Sequence, residues 1–286
     1  MLKVLVTGAT GFIGNHVVNF ILDNYPNVEL ITTSTDINKA KNFSWFDKTT
    51  YICHDIKDTN KNLFEYFNYP DKIIHLSWRG LPNYKNLFHF EEHLLEQYAF
   101  IKNLIVNGAT DITITGTCFE YGMKDGSLDE NMITNPTNPY GIAKDNLRKF
   151  IEQLNKFHEF NFKWVRLFYM YGAGQNENSL FSQLDKAIEK EEELFNMSGG
   201  EQIRDYLHVK DVANNIVKVS LQNSFLGVIN CSSNKPISVR KFVEDYIALK
   251  NSNLKLNLGY YPYPDYEPFA FWGNNSRLKM ILGSSS

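Results

Sequence analysis

The nonapeptide Val6–Gly14, VTGATGFIG, stands between a short β-branched run, Lys3 to Thr7, and a segment whose apolar residues fall at helical spacing: Phe12, Ile13, Val17, Phe20 and Ile21. Strand, glycine turn and helix in this order form the place where backbone N–H groups and a helix N-terminus hold a dinucleotide pyrophosphate. Glycine is needed there because a β-carbon would block the phosphates or the contact between strand and helix. A glycine triplet by itself also fits an ordinary tight turn. Here Gly8, Gly11 and Gly14 end the first strand and open the first helix, which is the context the phosphate site demands.

Working outward, strands are predicted at Val28 to Thr33, near Thr50 to Cys53, at Lys72 to Ser77 and at Asp111 to Thr115, with a helix over Phe90 to Val106. Pro139 stands before a helix that runs through Phe157, Lys163 to Phe168 returns as a sixth strand, and Gly227 to Cys231 resembles another core strand. Ser238 is the expected N-cap of the helix after it. The Tyr/Pro-rich stretch Gly259 to Phe269 has no period and reads as ordered loop. Parallel strands need crossover connections, so this alternation predicts an α/β protein with a Rossmann-type doubly wound parallel sheet and helices on both faces. A cofactor domain is expected over residues 1–165, rejoined by the strand at 227–231, with a smaller substrate lobe mainly over 166–286.

Composition narrows the function classes. The 286 residues are 43% hydrophobic and 21% charged, with a formal net charge of −3, and the lysines are scattered among acids. Nothing in that balance favours nucleic acid as a partner. Cys53, Cys118 and Cys231 are odd in number and lack metal-ligand spacing, which reads as reduced thiols, no metal and a cytoplasmic location. No apolar run approaches the roughly 18 residues of a membrane span.

Tyr140 and Lys144 form a Tyr-x-x-x-Lys pair on one helix face. A phenol that exchanges protons near neutrality needs its pKa lowered by about three units, roughly 4 kcal/mol. An ammonium ~4 Å away supplies on the order of 4 kcal/mol at an effective dielectric of about 20.

The Gly-x-x-Gly-x-x-Gly spacing, the Tyr-x-x-x-Lys pair and RDYLHVKDVA, Arg204 to Ala213, together resemble the extended short-chain dehydrogenase/reductases that modify nucleotide sugars, in particular the reductases of NDP-4-keto-6-deoxyhexoses. The resemblance covers nearly the whole chain. It implies a nicotinamide cofactor contacted by Gly8, Thr10, Gly11, Phe12, Ile13 and Gly14, by Thr33 and Ser34 at the end of the second strand, by Asp55 and Ile56, by Leu76, Ser77 and Trp78, and by Tyr140 and Lys144. It makes Thr117, Tyr140 and Lys144 the catalytic residues, Thr117 standing four residues before the Tyr121-Gly122 pair, with Thr115 as the fallback. Substrate contacts fall on Trp78, Leu81, Cys118, Phe119, Tyr169 and Arg204; the guanidinium of Arg204 suits a diphosphate because its fork bonds phosphate oxygens in pairs. Trp78 and the loop after it suggest a stacking platform for a sugar.

Where the family's 4,6-dehydratases carry Asp-Glu after the Thr, this chain has Cys118 and Phe119, which argues against dehydration. Tyr169 and Ala173 replace the usual Asn and Pro of the segment RLFYMYGAGQ. The leading expectation is reduction of the C4 ketone of a nucleotide-linked 4-keto-6-deoxy sugar. The alternatives are a C4 epimerase and, from another class, a catalytically silent dinucleotide-binding regulator. The second strand ends Thr32-Thr33-Ser34 without the carboxylate that would repel a 2′-phosphate, so NADP(H) is expected over NAD(H), with Asp36 as the residue that could reverse this. A homodimer through helices near 90–107 and 140–157 is what the family implies.

Overall fold

In the computed structural model, which describes residues 1–283, the glycine turn joins β1 (Leu2–Thr7) to α1 (Phe12–Asn24). There follow β2 (Val28–Ser34), α2 (Ile37–Ala40), β3 (Thr50–Cys53), α3 (Leu63–Tyr66), β4 (Lys72–His75), α4 (Leu94–Val106), β5 (Asp111–Thr117), β6 (Gly126–Leu128) and α5 (Pro139–Asn155). The rest of the chain supplies β7 (Asn161–Leu167), β8 (Tyr169–Tyr171), α6 (Leu180–Glu189), β9 (Leu194–Asn196), β10 (Ile203–His208), α7 (Val209–Leu221), β11 (Gly227–Cys231), β12 (Pro236–Ser238), α8 (Val239–Leu249), β13 (Lys255–Asn257), β14 (Phe271–Gly273) and α9 (Ser276–Gly283).

Seven of the strands form one parallel sheet in the order β11-β7-β5-β4-β1-β2-β3. Successive side chains on a strand point to opposite faces, and the two cores follow from that. Val4 and Val6 of β1 join Val165, Ile229 and the buried faces of α1 and α7 on one side. Leu5 joins Ile73, Ile112, Ile114, Trp164 and the buried residues of α4 and α5 on the other. Fully burying one such aliphatic side chain is worth about 1.5–3 kcal/mol, so both faces of the sheet are strongly held. The strand order reverses between β1 and β4, which opens a crevice at their carboxyl ends, the place where ligands bind in doubly wound sheets.

Three element ends differ from the sequence-based expectation, each for a local reason. β4 stops at His75, because the Leu76 and Ser77 N–H groups donate to Thr7 Oγ1 at 3.2 and 3.3 Å and leave the ladder. β5 runs on to Thr117, whose partner on β7 is Leu167. The helix expected from Phe90 begins as a π-helical turn at His89–His93 before α4. Ser238 caps α8 by accepting from Lys241 N at 3.1 Å.

Beyond the large sheet, β8, β10 and β12 form a three-stranded sheet, and β13 with β9 and β14 with β6 form pairs. The Gly259 to Phe269 stretch carries no helix or strand. It is tied down by Tyr260 N to Met197 O at 2.9 Å and by Ile203 N to Phe269 O at 3.0 Å. No helix among the described residues is long and apolar enough to cross a membrane.

Candidate active site

The glycine turn has the shape of a phosphate cradle. Gly8 has φ +67°, and a Cβ there would lie 3.0 Å from Ser77 Cα. Gly14 sits on the first turn of α1, where a Cβ would meet Gly8 O at 2.1 Å. Gly11 caps α1 without a side-chain hydrogen bond, so the N–H groups of Phe12 and Ile13 and the positive end of the helix are left for a ligand. Thr10 is partly exposed beside them. These features fit a dinucleotide pyrophosphate. Gly14→Ala has no flexible atom to push aside, only backbone. We expect it to lower stability by roughly 1–3 kcal/mol and to remove cofactor binding, as read by thermal unfolding and a cofactor titration; a variant with wild-type melting and affinity would contradict the cradle.

Sequence reading passed over the group that fixes the neighbouring segment. Thr7 Oγ1 accepts from two backbone N–H groups and lies 2.9 Å from His75 Nδ1, while His75 Nε2 lies 2.5 Å from Gln97 Oε1. Burial pushes the His75 pKa down to about 4, so the ring is neutral near pH 7. The Thr7 hydroxyl then donates to Nδ1 and Nε2–H donates to Gln97. Gln97 Nε2 donates to Ser77 O at 2.9 Å, which holds Leu76, Ser77 and Trp78 alongside Gly8.

Two of the three second-strand hydroxyls are already engaged. Thr32 is buried with its hydroxyl 2.9 Å from that of Thr49, and the buried Thr33 Oγ1 has no hydrogen-bond partner. Tyr51 Oη donates to Ser34 O at 3.1 Å, so the 2.9 Å contact between the two hydroxyls takes the single Ser34 proton. Thr32 and Ser34 are therefore not presented to a 2′-phosphate, and Thr33 keeps a buried hydroxyl without a partner. Asp36 lies just past β2 and accepts from Asn38 N and Lys39 N as the cap of α2. Asp55 is exposed and accepts from Lys57 N at 3.0 Å, while Ile56 packs against the α4 side of the core.

Thr117 ends β5, and Tyr140 and Lys144 stand on the first turns of α5, which starts where Asn138 Oδ1 accepts from Gly141 N at 2.8 Å. Pro139 is the first residue of that helix rather than the residue before it, a position where the missing N–H is harmless. Tyr140 is 7% exposed, and its N–H donates to Tyr84 O at 3.1 Å. Burial raises its pKa well above the ordinary value, and a hydrogen bond with the Thr117 side chain pulls the other way. Lys144 donates to Thr115 O at 2.9 Å and lies 4.0 Å from the centroid of a Trp78 ring, and burial lowers its pKa to about 7. In the free chain the Thr117 hydrogen bond eases ionisation of the phenol. The hydroxyl of Thr115, the fallback, is buried and donates to His75 O at 3.5 Å.

Glu120 is the other residue that sequence reading missed. Its fully buried carboxylate accepts from Thr117 N at 2.8 Å, Trp164 Nε1 at 2.9 Å and Arg166 Nε at 2.7 Å. With the Thr117 hydroxyl accepting from Phe119 N, this makes a capping box, and the Thr-x-x-Glu spacing was there to be read.

Most side chains expected on the substrate side are engaged with neighbours in the free chain. Trp78 does not offer a free stacking face: Lys144 lies over its ring, His89 stacks with it at 6.1 Å, and Tyr140 meets it edge-on at 5.8 Å. Leu81 lies on the exposed loop after it. Cys118 and Phe119 are buried, and burial pushes the Cys118 thiol up to about 12. Arg204 is 2% exposed and fully engaged, donating to Ile203 O and Phe269 O at 2.8 and 2.9 Å and pairing with Glu267 at 2.9 Å. Tyr169 Oη donates to the other Glu267 oxygen. A diphosphate reaches this guanidinium only by exchanging with Glu267. Asp205, next to Arg204, accepts from Ser233 N and Asn234 N at 2.7 and 2.8 Å and ties β10 to the turn after β11.

The chain is similar to dTDP-6-deoxy-L-talose 4-dehydrogenase (NAD(+)) from Aggregatibacter actinomycetemcomitans, 29% identical over 274 residues that cover 95% of this chain and 99% of that one. In fold it is similar to UDP-N-acetylglucosamine 4-epimerase from Methanobrevibacter ruminantium M1 in complex with UDP-N-acetylmuramic acid, with a TM-score of 0.84, 21% identity and coverage of 98% and 91% of the two chains. It is also similar in fold to UDP-glucuronic acid 4-epimerase from Bacillus cereus in complex with UDP-glucuronic acid and NAD, with a TM-score of 0.82, 21% identity and coverage of 99% and 93%. Residues 4–231 match the sequence profile of one family, and the chain belongs to it: the NAD dependent epimerase/dehydratase family.

Proposed function

We propose that the protein transfers a hydride between a nicotinamide dinucleotide and C4 of a nucleotide-linked 6-deoxy sugar, reducing the 4-keto form. Dehydrogenation of the 4-hydroxyl is the same reaction run backwards, so the name of the Aggregatibacter relative agrees with this chemistry. The observation that carries the proposal is the buried Tyr140 phenol with the Thr117 hydroxyl beside it, at the end of a strand that only β4 separates from the strand of the glycine cradle, and without the acid pair of a dehydratase. The bound nicotinamide supplies the hydride. Tyr140 delivers the proton to O4, and Thr117 bonds the same oxygen, which stabilises the charge that develops there. Lys144, with a pKa near 7, can give up or take a proton near neutrality. Arg204 is the residue we assign to the diphosphate, once Glu267 has moved off it.

For the cofactor we favour NAD(H). The Thr32 and Ser34 hydroxyls are taken, Asp36 supplies a carboxylate just past the end of β2, and the relative's name specifies NAD(+). One assay tests both choices: a panel of NDP-4-keto-6-deoxy sugars with NADH and with NADPH. We expect stoichiometric consumption of the cofactor and a higher kcat/KM with NADH. A clear NADPH advantage would return Thr33 and Ser34 to the 2′-phosphate. Turnover of the sugar without net cofactor consumption would favour the epimerase reading, which uses the same residues.

A further inference from the structure

Lys144 is enclosed: it is 3% exposed, and its Nζ donates to Thr115 O at 2.9 Å, one partner for three donors. The carboxylate whose charge favours the ammonium, Glu120, is already paired with Arg166 at 2.7 Å. What lies against Nζ is the face of Trp78, with a ring centroid 4.0 Å away. A cation over an indole is held by the negative face of the ring, and the attraction is strongest where water is excluded.

The indole is fixed in that attitude. Trp78 Nε1 donates to His89 Nδ1 at 3.1 Å, and His89 Nε2–H donates to Asn83 O at 3.0 Å. Burial lowers the His89 pKa, so its ring is neutral near pH 7 and can accept from the indole. Tyr140 and His93 each meet the indole edge-on at 5.8 Å. Behind it, Ser77 is held through its N–H by Thr7 and through its carbonyl by Gln97. A side chain that only fills space needs no such tether, whereas one whose face must stay turned toward a cation does.

The titratable groups around Lys144 are Glu120 on the turn after β5, Tyr140 one turn earlier on α5, His75 at the end of β4 and His89 on the π-helical turn. Burial pushes both imidazoles down, and the charge of Lys144 adds to the effect. Lys144 itself is driven to about 7. For a group with its midpoint there, a fall of one unit moves the charged fraction at pH 7 from about half to about a tenth. Modest forces at Nζ therefore decide how much ammonium is present.

We propose that Trp78 is a positioning residue: its tethered indole holds the Lys144 ammonium in place, one helical turn from Tyr140, and keeps it charged. The consequence for turnover rests on the hydride-transfer reading above; the contact itself does not.

The test is an NMR titration of the full chain carrying lysine isotope-labelled at Cε, in wild type, Trp78→Leu and Trp78→Phe. The Lys144 signal is the one missing from Lys144→Arg. Trp78→Leu keeps the wall apolar and removes the π face, so the Lys144 midpoint should fall by about one pH unit; Trp78→Phe keeps a weaker π face and should lie between. An unchanged or higher midpoint in folded Trp78→Leu overturns the proposal. If that variant does not fold, Trp78→Phe decides: a fall of about 0.3 unit or more is expected, and a midpoint equal to that of wild type overturns it. The second readout is the pH profile of keto-sugar reduction with NADH. The ammonium is present below its pKa, so a lowered pKa should carry the alkaline limb of kcat down by the same amount. A limb that stays put while the midpoint moves overturns the positioning role. If no keto sugar is turned over at any pH, the hydride-transfer reading falls, while the midpoint still decides whether Trp78 holds Lys144.

Discussion

Tyr140→Phe is expected to lower kcat by roughly 10²–10⁴-fold, the usual contribution of a positioned proton donor, while the Kd for NADH stays within twofold. At 1.36 kcal/mol per decade this corresponds to about 3–5 kcal/mol of transition-state stabilisation. The expectation is sharp because the ring itself is held by packing. Trp78, Tyr84, His89 and Phe119 all contact it, and none of these contacts needs the phenol oxygen. Removing Oη therefore deletes the proton and the contact with Thr117, and little else. Steady-state turnover alongside a cofactor titration reads the result. Activity within tenfold of wild type would show that another group protonates O4. A silent dinucleotide-binding regulator would have no turnover to lose.

Glu120→Ala should have the largest effect on stability. The carboxylate is fully buried, and it is the counter-charge of Arg166, which is itself 1% exposed. Removing one partner of a buried ion pair costs about 3–5 kcal/mol, because the other charge stays behind without compensation. Trp164 Nε1 and the Thr117 N–H would lose their acceptor as well, so Thr117 should be displaced from Tyr140 even in molecules that remain folded. Glu120→Gln keeps an amide oxygen for those two donors but gives up the charge and the oxygen that accepts from Arg166 Nε. It should be less destabilised than Ala and retain more activity. Urea unfolding followed by fluorescence measures the difference; a Glu120→Ala loss below about 1 kcal/mol, within the range of exposed pairs, would mean that the network is not what holds the end of β5.

The order of these elements was legible because the large sheet is buried on both faces. Its strands read as apolar runs, such as Val4 to Val6 and Ile73 to Ile74, and the helices between them carry apolar residues at helical spacing. The glycine turn and the Tyr140–Lys144 pair were legible for a related reason, since both depend on short-range spacing within one turn and one helix. The surroundings of the site depend on long-range placement, and there the residues alone misled. Thr32 and Ser34 read as free hydroxyls, but Thr49 and Tyr51 lie against them. Trp78 read as a platform until Lys144 was seen over it. Arg204 was recognised by its motif, but its partner Glu267 lies in a loop without period, where no pattern announces a contact. Glu120 differs from these: its Thr-x-x-Glu capping box is a local signal that was available and unused.

In the proposed reaction hydride moves between the nicotinamide and the sugar's C4, with Tyr140 managing the proton. The most direct measurement is reduction of an NDP-4-keto-6-deoxy sugar with NADH deuterated at nicotinamide C4, followed by NMR of the product. The account predicts one deuterium at the sugar's C4 in product formed with one face-labelled cofactor, none with the other, and no product from Tyr140→Phe on the same timescale. Deuterium at any other carbon, or a 4-hydroxy product that carries no label with either cofactor, would contradict it.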